Sequence, residues 1–280
     1  MLRTLFFGTS AFAVPSLRVF ASRTDLLGVV TQPDRPSGRG QRLHPTPVKA
    51  AALDLGLTVY EPASLRAFVD ERAGEAFDLF GLASYGRILP QSLLDLPRLG
   101  ALNVHPSLLP RYRGATPIQT ALRNGDEVTG VSIMLMDAGM DTGEIALQER
   151  VPIAEDDDYG SLHDRLAGVG AKMLGKAIGA AERDELAHVP QTGEASVTRP
   201  IGKGDLDVDW TADARAIVNQ IRAYAPQPAA RGELHGETVK LLRAHVGAHD
   251  EVIVDELIAP NRGKMTGEAF ARSVAARSAG

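Results

Sequence analysis

Two polar side chains that could act together, Asn103 and His105, lie in the apolar segment Ala101–Val104 and directly after it. The segment has the pattern of a β-strand, and side chains on a strand alternate between its two faces. The amide and the imidazole should therefore project from one face, at the carboxyl end of the strand, where open α/β sheets bind ligands. Taken alone, the pair has a second interpretation, a polar strand end that only satisfies loop backbone groups.

A second polar segment follows another predicted strand. It is the loop Met136–Glu144, in which Asp137 and Asp141 alternate with glycines. The loop is too short, and its ligand order is wrong, for a calcium-binding loop, so we predict no metal site. We expect Asp137 to form a structural Asx turn. The two segments together favour a reaction centre over an accidental polar strand end.

Composition limits the possible chemistry. The chain has 280 residues, 44% of them hydrophobic, which predicts one large and one smaller domain. It contains no cysteine, so thiol nucleophiles, disulfides and thiolate metal sites are excluded. No apolar run approaches the roughly 18 residues of a membrane span, and no signal-like segment starts the chain, so we expect a cytoplasmic protein without a membrane partner.

The charge distribution shows one unusual segment. A formal net charge of −5 argues against a protein that is coated by nucleic acid. Between Thr31 and Lys49, however, four basic residues face a single acidic one, Asp34. Such a loop could contact a phosphate backbone locally, or it could simply be a solvated surface loop. The four basic residues are Arg35, Arg39, Arg42 and Lys49.

The first 150 residues alternate strand-like and helix-like segments, which predicts a doubly wound, mostly parallel α/β sheet. The turn Gly8–Ser10 lacks the spaced glycines of a dinucleotide site, which argues against a nicotinamide dinucleotide site. The predicted strands are Arg3–Phe7, Leu26–Val30, Leu57–Tyr60, Asp78–Ala83, Ala101–Val104 and Gly130–Met136. The predicted helices are Val14–Ser22, Pro47–Leu55, Ser64–Ala73, Pro90–Leu94, Pro117–Arg123 and Ser161–Glu182.

The pattern loosens towards the C-terminus. Residues 1–190 are predicted as the catalytic domain, 191–204 as a linker rich in Gly, Thr, Ser and Pro, and 205–280 as a second domain. The second domain should contain a helix near Thr211–Arg222 and two strands, Thr238–Ala244 and Val252–Leu257.

The motifs resemble the folate-dependent formyltransferase family. The Asn-x-His pair is followed by Ser107–Pro110 and Arg113–Gly114, and the later loop contains Asp141–Gly143, as in that family. The segment Ala83–Pro90 resembles the strand and turn of the family on the folate side. Within the family, Thr31–Gly40 with Thr46–Lys49 resembles the tRNA-contacting loop of the branch that acts on initiator tRNA.

The resemblance implies a reaction. A formyl group would pass from 10-formyltetrahydrofolate to the α-amino group of methionine on charged initiator tRNA, without a metal. Asn103 and His105 would donate hydrogen bonds to the developing oxyanion, and Asp141 would orient His105 or a water and help move the proton. It also implies folate contacts by Ser84, Tyr85, Gly86, Arg87, Ile88, Leu89, Ser107, Leu108, Leu109, Pro110, Asp137, Gly139 and Thr142, and tRNA contacts by Arg35, Arg39, Arg42 and Lys49.

The chain departs from the family pattern in three places. Ser84 stands where the family usually has Ala, and Gln227 where a Trp usually sits between two prolines. The stretch Val246–Val252 is shorter than usual, so the resemblance implies a small, reduced C-terminal β-barrel-like domain. Three alternatives stay open: formylation of a small amine such as an amino sugar nucleotide, a folate- or tRNA-binding relative without catalysis, and hydrolysis of formylfolate.

Overall fold

A seven-stranded sheet forms the core of the part of the chain that carries the predicted site. The computed structural model describes residues 1–37 and 42–278. The strands of the sheet are β1 (Arg3–Gly8), β2 (Asp25–Val30), β5 (Val59–Tyr60), β6 (Leu79–Ala83), β7 (Ala101–His105), β9 (Val128–Leu135) and β10 (Ile145–Pro152). Their order in the sheet is β10-β9-β7-β6-β1-β2-β5.

Five neighbouring strands of this sheet, from β7 to β5, run parallel. Their central members are almost entirely apolar and buried, as expected of parallel strands that are covered on both faces. The aromatic rings of Phe7 and Phe80 pack with centroids 5.4 Å apart in this core. The predicted doubly wound, mostly parallel sheet is thereby confirmed.

Two strands differ from the simple parallel pattern. β9 pairs antiparallel with β7, which places Ser132 opposite His105. The edge strand β10 was not predicted, because its residues are mostly half-buried and do not form an apolar run. Both strands thus extend the sheet on the side of the Asn103–His105 pair.

Helix starts follow local capping. The hydroxyl of Thr46 accepts a hydrogen bond from the Lys49 backbone N–H, and Pro47 takes the first helical turn. Ser64 caps the next helix in the same manner. The helices are α1 (Val14–Arg23), α2 (Pro47–Asp54), α3 (Leu65–Glu71), α4 (Gln91–Leu94), α5 (Pro117–Arg123), α6 (Tyr159–Glu182), α7 (Ala214–Tyr224) and α8 (Gly267–Ser278).

The basic loop contains a short β-ribbon. Strands β3 (Arg35–Ser37) and β4 (Arg42–His44) pair antiparallel. Arg39 lies between them, outside the described residues. A second two-stranded pair is formed by β8 (Arg113–Gly114) and β11 (Val197–Thr198).

The C-terminal part forms a four-stranded antiparallel sheet with its own core. Ile221 and Tyr224 of α7 pack in a core with Leu241, Leu257 and Phe270. The small C-terminal β unit is confirmed, and α8 is an addition that the sequence did not indicate. The strands are β12 (Ala230–Leu234), β13 (Glu237–Val246), β14 (Val252–Ala259) and β15 (Gly263–Thr266).

Packing divides the chain into two compact units. We keep the domain boundaries at 190 and 205 as a prediction, because units of packing need not fold separately. Among the described residues no helix is both long and apolar enough to span a membrane. The first unit comprises Met1–Arg113, Gly130–Val151 and Asp164–Val197, and the second Gly114–Thr129, Pro152–His163 and Thr198–Gly280.

Candidate active site

His105 ends strand β7, and both of its ring nitrogens face a polar group. Nε2 lies 3.0 Å from the carbonyl oxygen of Tyr112. A carbonyl can only accept a hydrogen bond, so Nε2 carries a proton and donates it. Nδ1 lies 3.6 Å from the Asp141 Oδ2 atom. The ring is therefore held in one orientation, with Nδ1 turned to a carboxylate.

Burial sets the charge of this ring. It lowers the pKa of His105 below its ordinary value of 6.5, while the Asp141 charge and the Tyr112 carbonyl act in the opposite direction. Near pH 7 the ring is neutral, and Nδ1 offers a lone pair that can accept a proton. Because the Tyr112 carbonyl accepts from the Nε2–H, the neutral ring has no second N–H in this arrangement, and donation by His105 to an oxyanion stays an untested prediction.

The side-chain amide of Asn103 carries N–H groups that can donate a hydrogen bond, whereas Nδ1 of the neutral His105 ring cannot donate. The Asn103 side chain is 7% exposed, and within the described part of the chain its amide forms no hydrogen bond to a protein group. No described protein group occupies this amide, so it is available to a ligand oxygen that accepts a hydrogen bond. Asn103 and His105 share the face of β7 that the strand pattern predicted.

The Asp141 loop is organised by its own side chains. The Asp137 carboxylate accepts hydrogen bonds from the Gly139 N–H, at 3.0 Å, and from the Thr142 hydroxyl, at 2.7 Å. This is the Asx turn expected for Asp137. Asp141 itself has φ of 53°, in the left-handed region that Asp tolerates. The loop thus presents the Asp141 carboxylate to His105.

Residues 107–110 follow β7. Their backbone is held by the hydroxyl of Ser132, a residue that the sequence did not point to. Ser132 donates to the Ser107 carbonyl at 2.7 Å and accepts from the Leu109 N–H at 3.1 Å. The Gln148 amide donates both to Ser132 and to the Leu109 carbonyl. The one signal for Ser132 was its polar side chain within an apolar strand.

The predicted folate turn follows β6, and several of its groups already have protein partners. The Tyr85 carbonyl accepts from the Thr9 hydroxyl at 2.9 Å and from the Gln32 amide at 2.7 Å. The Tyr85 ring is buried in the core, so its side chain is a core residue here rather than a wall of the site. Gly86 has φ of 77°, and an added Cβ would lie 2.7 Å from Gln32. The turn is therefore rigidly placed.

The other predicted folate residues of this turn divide by exposure. Leu89 is buried in the core, and the Arg87 guanidinium donates to the carbonyls of Pro62 and Ala63. The Ile88 side chain is 88% exposed. The Ser84 hydroxyl accepts from Ser10, and its backbone has φ of 42°. Ile88 is thus the apolar side chain that this turn offers to a ligand.

One residue of the basic segment, Lys49, forms ion pairs in the structure. Lys49 Nζ lies 2.8 Å from Asp34 and 2.8 Å from Glu61, and these hydrogen bonds raise the pKa of the lysine. Two carboxylates therefore already pair with its charge, and the contact of Lys49 with phosphate stays a prediction. Arg35 and Arg42 are placed only by their strands, β3 and β4.

Comparison with protein families matches both parts of the chain. The model described as formyl transferase matches residues 4–178, and the model described as formyl transferase, C-terminal domain, matches residues 200–252. The first match includes Asn103, His105 and Asp141. The second includes α7 and two of the four strands of the C-terminal sheet, β12 and β13.

Individual relatives agree with this assignment. A methionyl-tRNA formyltransferase of Geobacter sulfurreducens is 44% identical over 88% of this chain and 78% of its own. One of Ruegeria pomeroyi is 44% identical over 91% of this chain and 87% of its own. Among solved structures, a sugar 3N-formyl transferase shares the fold with a TM-score of 0.67 at 20% identity, covering 89% of this chain and 87% of that one.

Proposed function

Because this chain belongs to the formyl transferase family, we infer that it transfers the formyl group of 10-formyltetrahydrofolate to the methionine of initiator methionyl-tRNA. Two relatives that are 44% identical to this chain are named methionyl-tRNA formyltransferase, and each alignment covers most of both chains. The single structural observation that supports the proposal is the His105–Asp141 pair, with Nδ1 3.6 Å from the carboxylate, on the strand that also carries Asn103.

The residues meet the demands of formyl transfer. The formyl donor supplies an electrophilic carbon and a leaving nitrogen. A bond forms between the acceptor amine and that carbon, and the bond from the carbon to the folate nitrogen breaks. The Asn103 amide donates to the formyl oxygen as negative charge develops on it. His105 Nδ1 takes the proton from the amine and returns it to the leaving nitrogen.

Asp141 has a supporting part in this scheme. Its carboxylate lies 3.6 Å from Nδ1 of His105. At that distance it stabilises the ring electrostatically when Nδ1 becomes protonated, without forming a direct hydrogen bond in the resting state. The proton can therefore be held on His105 between its removal from the amine and its delivery. No covalent enzyme intermediate is needed.

Two features of the sheet support our proposal for where the folate binds. The carboxyl ends of β6 and β7 lie next to each other in the sheet, and the turn after β6 is rigid. We propose that the folate lies between residues 84–90, including the exposed Ile88, and the loop Asp137–Thr142. Residues 107–110, held by Ser132, close this place on a third side.

The acceptor is proposed to be engaged by the basic ribbon. Arg35 and Arg42 lie on paired strands that carry Arg39 between them in the chain. Planar guanidinium groups suit phosphates and unstacked bases of a tRNA acceptor end. Lys49 is assigned a further part: with Asp34 and Glu61 it fastens the base of the ribbon.

One assay tests the proposed function. The purified protein is incubated with formylfolate and, separately, with charged initiator tRNA, uncharged initiator tRNA, free methionine or an amino sugar nucleotide. We expect formylation of the charged tRNA alone. Formylation of the amino sugar nucleotide but not of the tRNA, or release of formate without an acceptor product, would overturn the proposal.

A further inference from the structure

Gln191 joins the two segments that hold the candidate centre. Its Nε2 atom donates to the carbonyl oxygens of Asp141 and Gly143, at 2.8 Å each. Its Oε1 atom accepts from Arg113, at 3.2 Å from Nε and 2.7 Å from Nη2. Carbonyls only accept and a guanidinium only donates, so the orientation of the amide is unambiguous. Both the nitrogen and the oxygen of the Gln191 amide therefore form hydrogen bonds.

On one side the amide supports an uncommon backbone conformation. Asp141 has φ of 53°, in the left-handed region that residues other than glycine adopt less often. The two hydrogen bonds from Gln191 bracket this residue and the glycine two positions later. They therefore determine where the Asp141 carboxylate points.

On the other side, the hydrogen bonds to Arg113 reach the segment that faces Nε2 of the His105 ring. Arg113 directly follows Tyr112, whose carbonyl accepts the proton of His105 Nε2. Tyr112 has φ of 60°, and its N–H and that of Arg113 donate to the hydroxyl and the carbonyl of Ser196. A single amide thus connects the group that faces Nδ1 with the segment that carries the group facing Nε2.

We propose that Gln191 is a positioning residue, which holds the Asp141 carboxylate opposite His105 Nδ1 by fastening the Asp141–Gly143 backbone to Arg113. The groups that face the His105 ring are the Asp141 carboxylate and the Tyr112 carbonyl. Loss of the amide frees the loop, moves the carboxylate away from the ring and weakens its influence on protonation. The role in turnover rests on the proposed function, whereas the effect on the ring does not.

The test compares Gln191→Ala and Gln191→Met with the parent enzyme. Alanine removes the side chain, and methionine keeps its length without donors. The matched control is Gln220→Ala, because Gln220 also donates to two backbone carbonyls, those of Asp205 and Asp207, at 2.8 and 3.1 Å. Thermal unfolding identifies a variant that does not fold, in which case the other Gln191 variant is used.

Two readouts are measured. The first is kcat and KM for charged tRNA. We expect kcat to fall about 10- to 100-fold with little change in KM, because displacing a reacting group by about 1 Å has effects of that size. The second is the titration of the His105 ring nitrogens by NMR, assigned with His105→Gln. The midpoint should move to lower pH, in the same direction as in Asp141→Asn.

The double variant Asp141→Asn with Gln191→Ala shows whether Gln191 acts through Asp141. If it does, the titration midpoint of the double variant equals that of Asp141→Asn. An unchanged midpoint in both Gln191 variants, or a further shift in the double variant, overturns the proposal. If the parent enzyme formylates no acceptor, the proposed function is wrong. The titration of His105 would still show whether Gln191 positions Asp141.

Discussion

The Asp141 carboxylate lies 3.6 Å from Nδ1 of His105, close enough to stabilise a charge on the ring and too far for a direct hydrogen bond. The opposite nitrogen is committed to the Tyr112 carbonyl. The pair is therefore arranged so that a proton arriving at Nδ1 meets a negative charge. This relationship leads to the first prediction.

Asp141→Asn should shift the acid limb of the pH–rate profile to lower pH. Burial already depresses the pKa of His105 below 6.5, and the Asp141 charge partly opposes this effect. Removing the charge depresses the pKa further, so Nδ1 stays unprotonated to lower pH while the maximal kcat falls. The measurement is kcat against pH with saturating folate. A limb that moves to higher pH would show that Asp141 does not act on His105 in this way.

Asn103→Ala and Asn103→Asp should each reduce kcat about 100- to 1,000-fold with little effect on folate affinity, because the amide donates mainly to charge that develops during the reaction. The aspartate variant keeps the size of the side chain and replaces the donor by an acceptor. Single-turnover rates and folate binding at equilibrium check both points. An aspartate variant with near-normal turnover would contradict the assignment of Asn103 as a donor.

Gly143→Ala should disturb the Asp141 loop. An added Cβ would lie 1.7 Å from the Leu135 carbonyl oxygen, so the backbone must move. We expect a loss of kcat similar to that of Asp141→Asn. Gly168→Ala is the control, since nothing lies within 4 Å of the corresponding position and it is inside α6. Equal turnover of the two alanine variants would show that the loop tolerates displacement.

Ser132→Ala should destabilise the first unit by about 1–3 kcal/mol, because it leaves buried groups of Ser107 and Leu109 without their partner. Ser16→Ala is the control: the Ser16 hydroxyl is buried too, but has no hydrogen-bond partner among the described residues. Urea unfolding of both variants gives the comparison. If Ser16→Ala costs as much as Ser132→Ala, the hydrogen bonds of Ser132 are not the source of its effect.

Arg39→Ala should lower kcat/KM for charged initiator tRNA about ten- to a hundredfold, since one contact to nucleic acid contributes roughly 1–3 kcal/mol. Folate affinity should not change. Raising the salt concentration should reduce the difference from the parent enzyme if the contact is to phosphate. Arg66→Ala, an exposed arginine on α3, is the control. Equal activity of Arg39→Ala and the parent at low salt would contradict a role for this ribbon in binding the tRNA.

The parts of the fold that the sequence predicted depend on local rules. Strand β7 and the common face of Asn103 and His105 follow from a two-residue alternation. The start of α2 follows from Thr46 and Pro47, whose effects reach only one turn of helix. Such signals can be identified without knowledge of the neighbours. For the same reason the doubly wound core was predictable, while the half-buried edge strand β10 was not.

The parts that were missed depend on contacts between distant segments. Ser132 lies opposite His105 only because β9 pairs antiparallel with β7 in that register. Lys49 forms an ion pair with Glu61, which a count of charges between Thr31 and Lys49 did not include. Gln191 lies in a segment without any pattern of its own. Hydrogen bonds of this kind leave no periodic trace in the sequence.

The sequence by itself determined the identity of the proposed reacting groups, an amide, an imidazole and a carboxylate, and their order along the chain. Only the tertiary structure decided which nitrogen of His105 faces the Tyr112 carbonyl and which faces Asp141. That choice depends on where the Tyr112 carbonyl and the Asp141 carboxylate lie around the ring. Their positions result from backbone conformations held by long-range hydrogen bonds to Gln191 and Ser196, and residue types alone do not encode those distances.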